Sequence, residues 1–202
     1  MTAAPLASSE IARLVVEIDD VTPRVTRVVE VPVDIRLDDL HFVLQIAIGW
    51  QNGHPFEFRM GDEVWGQQDR EAERNPLPPE RATLADILAH GDTFQYDYVL
   101  GEDWEHTVTL EARAPARPDV RYPHLVRAEG RCPPADIGGP VGYDTYLRTI
   151  ADPASLNHED MLEFDAPDFD PHVVDEAALR ANLASLTRYI GRKPTVREAA
   201  GS

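Results

Sequence analysis

The stretch FQYDYVLGEDWEHTVTLE, residues 94–111, holds two runs of alternating side chains on either side of a short polar turn. Phe94, Tyr96, Tyr98 and Leu100 alternate with Gln95, Asp97 and Val99. Trp104, His106, Val108 and Leu110 then alternate with Glu105, Thr107, Thr109 and Glu111. A period of two, filled with aromatic and β-branched residues, predicts a β-hairpin that turns at Gly101–Asp103. One face of that hairpin is apolar, and His106 falls on it.

Working outward, Ile11 to Asp19 alternates with Leu14, Val16 and Ile18 on one face, and Val25 to Val31 places Val25, Val29 and Val31 on a face with Arg27. These segments predict a second antiparallel hairpin, with a turn at Asp20–Pro23 and its end at Pro32. Leu37, Leu40, Val43, Leu44, Ala47 and Ile48 recur at helical spacing. Asp38 and Asp39 suit the first turn of that helix and Gly49 its left-handed C-cap, and His41 lies beside the apolar stripe. Phe56, Phe58 and Met60 predict a strand, residues 66–81 a surface loop, and Thr83 with Asp86 a capping box opening a helix over Leu84–Ala89.

Residues 114–142 are rich in Pro and Gly and lack a sustained period, so they read as one long loop, a kind of segment that is often functional. Beyond it, Tyr143, Tyr146, Leu147 and Ile150 predict a helix. Asn157 caps a short helix holding Met161 and Leu162, and Asp175 caps a last one with Leu179, Leu183, Leu186 and Ile190 on its stripe and Gly191 as its stop. The expectation is a single α+β domain over residues 10–191, with flexible tails at 1–9 and 192–202.

The chain's 202 residues are enough for a sizeable core without covalent staples. One cysteine, Cys132, excludes an intrachain disulfide and a cysteine-rich zinc site. The N-terminal residues lack a basic segment followed by an apolar one, and no apolar run reaches membrane-span length, so a cytoplasmic protein with no membrane partner is expected. A net charge of −17, from 36 acidic and 19 basic residues, repels a nucleic-acid backbone and argues against direct binding of nucleic acid. The acidic segment from Asp152 to Glu176 reads as a solvated face. No dinucleotide fingerprint, phosphate loop, HExxH pair, EF-hand loop or nucleophile elbow is present, which lowers the expectation of an enzyme.

Three segments still stand out: GWQNGHPFEF, YDYVLGEDWEHTV and RCPPADIGGPVGY. With LDDLHFVLQIAIGW, RYPHLVRAEG and FDPHVVD, they resemble, as an ordered set, the plasmid pRiA4b ORF-3-like family, also called the insertion-element passenger TnpR or MM3350-like family. The resemblance runs from about Ile11 to about Leu183 and implies a curved, mainly antiparallel sheet with packed helices. Its names record association with mobile elements and imply no recombinase chemistry. Trp50, His54 and Phe58 match the family's W-x-x-x-H-L-H-x-F, while Phe56 replaces its second histidine. Tyr96, Tyr98, Gly101, Trp104 and His106 match Y-x-Y-D-F-G-D-x-W-x-H, with Val99 and Glu102 in place of the aspartates. Cys132, Pro133, Pro134, Asp136, Gly138 and Gly139 match C-P-P-E-D-C-G-G, with Ala135 and Ile137 in place of the glutamate and the second cysteine.

Three functions follow as expectations. The first is a non-catalytic module that binds a protein or peptide in a groove lined by Trp50, Phe58, Tyr96, Tyr98 and Trp104. The second is a metal-dependent or acid–base enzyme, hydrolase-like, using His54, His106 and Asp136. Its metal candidates are His54, His106, Cys132 and Asp136, with Glu57 and Asp103 as further carboxylates and a divalent metal as the candidate cofactor. The third is an accessory protein of mobile-element DNA transactions acting through a protein partner, which rests on the family's names alone. Each of these residues also has a structural reading: His106 as a core histidine, Trp104 as an anchor, Cys132 as a small buried apolar group, Asp136 as a turn cap.

Overall fold

The computed structural model describes residues 10–67, 75–164, 168–186 and 190. The expected tails and Gly191 lie outside the described residues. Within them the chain forms one α+β fold: a seven-stranded open sheet in the order β4-β3-β5-β6-β1-β2-β7, with five helices. The strands are β1 (Glu10–Ile18), β2 (Thr26–Pro32), β3 (Phe56–Met60), β4 (Glu63–Gly66), β5 (Thr93–Tyr98), β6 (Trp104–Pro115) and β7 (His124–Glu129). Every neighbouring pair is antiparallel. The helices are α1 (Leu37–Ile48), α2 (Leu84–Leu88), α3 (Gly139–Ala151), α4 (His158–Phe164) and α5 (Glu176–Leu186).

Both expected hairpins form. Leu14 lies opposite Val29 and Val16 opposite Arg27 in the first; Tyr96 lies opposite His106 and Tyr98 opposite Trp104 in the second. The alternation that defines them puts Leu14, Val16, Val29, Phe58, Tyr96, Trp104 and Val108 on the inner face, where they are buried with Leu40, Val43, Leu44 and Ala47 of α1. The capping box at Thr83 and Asp86 is complete, and the Asp175 carboxylate accepts the amide of Ala178 at the start of α5.

Arg27 is the exception on the valine face of β2. It is 1% exposed, and its guanidinium donates to the carbonyls of Ala47, Ile48, Thr26 and Glu129 at 2.7–2.9 Å. Two of these acceptors are the last carbonyls of α1, which have no donor within the helix. Because α1 has no basic residue in its own last turn, β2 supplies the cation that its C-terminus favours. Burial lowers the Arg27 pKa to about 10, which leaves it charged at neutral pH.

Two expected loops are shorter than the sequence pattern suggests. The surface loop expected at 66–81 begins one residue inside β4, an edge strand on β3, and Leu77 adds a parallel bridge to Trp65. Four residues with no clean alternation carry too little pattern to be recognised. Likewise 114–142 is not one loop. β6 runs on to Pro115, β7 forms the other edge of the sheet, and α3 begins at Gly139. Only Leu125 of β7 is buried, so the periodic signal of a half-buried strand is missing. Arg180 of α5 donates to the carbonyls of Leu125 and Val126, which ties that edge to a helix.

Candidate functional site

A cleft of about 550 Å³ opens where the segment after α1 faces the segment after β7. One wall is Gly49–His54, the other Arg131–Asp136, with Tyr98 between them and Phe164 of α4 at the rim. Gly49 has φ +119°, and a Cβ there would stand 3.1 Å from Cβ of Cys132. Glycine thus serves the helix stop and the close approach of the two walls together.

The first wall is held from within the core. Asn52 adopts φ +57°, a conformation that asparagine tolerates better than most residues. Its amide donates to Gln45 Oε1 at 3.1 Å, and its side-chain oxygen accepts from His41 Nε2. The other ring nitrogen of His41 accepts from the Tyr96 hydroxyl at 2.7 Å, and that hydroxyl accepts from Gln45 Nε2 at 2.9 Å. The donors and acceptors close into a ring running Asn52–His41–Tyr96–Gln45. His41 also stacks on Phe56 with centroids 3.7 Å apart. Gly53 donates its amide to the Tyr98 hydroxyl at 2.9 Å. In the sequence His41 stands out only as a neighbour of the apolar stripe. Its spacing of four from Gln45, on a helix running into GWQNG, is the signal that points to the ring.

The second wall is held by indoles. Trp50 Nε1 donates to the carbonyl of Pro133 at 2.9 Å, and Trp104 Nε1 to that of Ala135 at 2.7 Å. Cys132 Sγ donates to the same Pro133 carbonyl at 3.3 Å. Across the cleft, His54 Nε2 lies 2.8 Å from Asp136 Oδ1 and joins the two walls. The Arg131 guanidinium sits 4.5 Å above the Phe169 ring.

The fold therefore brings together His54, Asp136 and Cys132 at one cleft, with Trp50 and Tyr98 in its lining. It does not bring His106 there. That ring is fully enclosed behind Trp50, which meets it edge-on at 5.2 Å, and its Nδ1–H donates to the Tyr96 carbonyl at 2.8 Å. Burial pushes His106 down to about 4, against the opposing pull of the Tyr96 and Trp104 backbone, so it is neutral at physiological pH. Phe58, Tyr96 and Trp104 are 0% exposed, which corrects the expected five-residue aromatic groove: the inward alternation that flags them is what encloses them. Asp103 lines a separate hollow of about 480 Å³ with Asp19, Asp20 and Glu102, and Glu57 lies on the sheet's outer face opposite Asp97. Among the described residues, no group of three or more His, Cys, Asp or Glu is placed to hold a metal ion.

The positions departing from the family pattern have structural roles. Phe56 is the ring on which His41 stacks, and the Ala135 carbonyl accepts from Trp104. Ala135 and Ile137 pack against the core, and Val99 is buried at φ +56°.

Comparison with known proteins agrees with this architecture. The model of the family described as plasmid pRiA4b ORF-3-like protein matches residues 10–178. An uncharacterized protein, y4hQ, of Sinorhizobium fredii is 38% identical over 188 residues, covering 92% of this chain and 96% of that protein. The crystal structure of MM3350, a protein of unknown function from Methanosarcina mazei, is similar with a TM-score of 0.75 and 26% identity, over 82% of this chain and 95% of that one. No described helix is long and apolar enough to cross a membrane. The chain belongs to the plasmid pRiA4b ORF-3-like family.

Proposed function

We propose that this member of the family is a non-catalytic binding module that takes a peptide segment of a protein partner in the cleft between Gly49–His54 and Arg131–Asp136. The observation that carries this reading is the make-up of the cleft. Polar handles (His54, Asp136, Arg131) and the exposed ring of Phe164 surround a floor in which Trp50 and Tyr98, both largely buried, show only an edge, a mixture that peptide recognition uses. The thiol in the cleft donates to the Pro133 carbonyl of its own loop. Selection of a random peptide library on the purified chain tests it. Enriched peptides should bind saturably, and His54→Ala should weaken them about tenfold, a loss of about 1.4 kcal/mol. Peptides that bind the variant equally well, or no enrichment at all, overturn the reading.

One observation favours a second reading. A histidine and a carboxylate 2.8 Å apart in an open cleft are the parts of an acid–base pair. Turnover of p-nitrophenyl acetate or p-nitrophenyl phosphate by the purified chain, abolished by Asp136→Asn with the fold intact, would put an enzyme in place of the module.

A further inference from the structure

Strand β5 carries an anomaly on the face opposite the cleft. Glu57 of β3, Asp97 of β5 and Glu105 of β6 are directly opposed across the three strands, so three carboxylates stand in one cross-strand row. Like charges at opposed positions repel. Arg59 of β3 is the cation within reach: its Nε lies 2.7 Å from Asp97 Oδ2 and its Nη2 3.1 Å from Glu105 Oε1. Asp97 is only 6% exposed, and its Oδ1 has no hydrogen-bond partner among the described residues and no contact with solvent. A buried carboxylate oxygen without a donor is costly as an anion, and a proton removes that cost.

We propose that the Glu57–Asp97–Glu105 row is a proton-binding site, in which the Asp97 carboxyl, flanked by the two glutamates, takes up a proton, so that this face of the sheet changes charge with pH. The proton comes from water and returns to it. Arg59 keeps its contacts to Asp97 Oδ2 and Glu105 in both states, while Oδ1 is the oxygen protonated. The groups that face Asp97 are those of β3 (Glu57, Arg59) and β6 (Glu105). Burial, reinforced by Glu105 and Glu57 and opposed by Arg59, lifts Asp97 to about 6. The inner neighbours of Asp97 on the same strand are Tyr96 and Tyr98, whose hydroxyls hold the first wall of the cleft. The site stands independently of what the cleft binds.

The test is a carboxyl ¹³C NMR titration of the full chain, with Asp97→Asn identifying the resonance and circular dichroism confirming that each variant is folded. The expected result is an Asp97 midpoint near 6. In Glu57→Gln/Glu105→Gln, or in either single variant, the midpoint should fall, by about one pH unit for the pair. A midpoint at the ordinary aspartate value of about 3.9, or a raised midpoint that does not move when the glutamates are neutralised, overturns the proposal.

Discussion

The two faces of strand β2 solve the same problem differently. On the inner face Arg27 is a buried cation with no carboxylate in salt-bridge contact among the described residues, surrounded by four backbone carbonyls. On the outer face, three residues along, Glu30 is a buried anion held by two guanidiniums, Arg13 at 2.8 Å and Arg117 at 2.7 Å. The inner solution uses groups the fold has already fixed, so it is rigid. The outer one uses long side chains that are partly exposed, so it is adjustable. The same contrast recurs on β5, where Tyr96 inside is part of a closed hydrogen-bond ring and Asp97 outside is left with an orphan oxygen. Around Arg27 and Tyr96 the buried polar groups on the helix side are paired, although Nε2 of His106 beside them has no hydrogen-bond partner among the described residues; on the open side the orphan belongs to a carboxylate, which a proton can satisfy.

Mutations can break or sharpen that contrast. The largest effect is expected for Arg27→Met, which leaves four carbonyls without their donor and should cost about 4 kcal/mol in urea unfolding. Next comes His106, whose folded pKa is depressed to about 4 from a usual 6.5. Its contribution is fully present above about pH 6.5 and is lost as pH falls through about 4, amounting to about 3 kcal/mol. His106→Phe should remove that part of the acid sensitivity, measured as the wild-type minus variant difference in unfolding free energy from pH 7 to pH 3.5. On the outer face, Glu30→Gln should cost about 2 kcal/mol, less than Arg27→Met, because both arginines still reach water. A larger loss than that of Arg27→Met would reverse the comparison. The smallest effect carries the opposite sign. Asp97 has a raised pKa, so its contribution is fully present below the unfolded value near 3.9 and is lost as pH rises through about 6. Asp97→Asn should therefore stabilise the chain at pH 7 by about 1 kcal/mol, discounted for screening, and leave it unchanged at pH 3.5.

Much of this is legible in the residues. Alternation over 94–111 and 11–31 defines two hairpins, and the apolar spacing of Leu37 to Ile48 with Gly49 defines α1, because each element buries one face and exposes the other. β4 and β7 are not legible, since they are short edge strands that bury little and therefore carry no period. At the site, His54, Cys132 and Asp136 stand out for their chemistry, and the fold places them around one cleft. His106 stands out the same way and lies in the core, although its place on the apolar face of the hairpin already points there. Trp104 and Tyr96 teach the same lesson: an aromatic residue at an inward position of a central strand holds a wall from behind instead of meeting a ligand. The ring through His41, Gln45 and Asn52 is half legible: the spacing of His41 and Gln45 on one helix before GWQNG hints at it, but Tyr96, whose hydroxyl closes it, comes from a strand more than fifty residues away.

The two indoles that clamp the second wall have an optical consequence. The chain has three tryptophans, and two of them donate to carbonyls of one six-residue segment. Any event that shifts Arg131–Asp136 alters the polarity and hydrogen bonding around both chromophores at once. In a Trp65→Phe background the intrinsic emission of the protein then becomes a built-in fluorescent gauge of the cleft, needing no dye and responding to any occupant, whatever its chemistry.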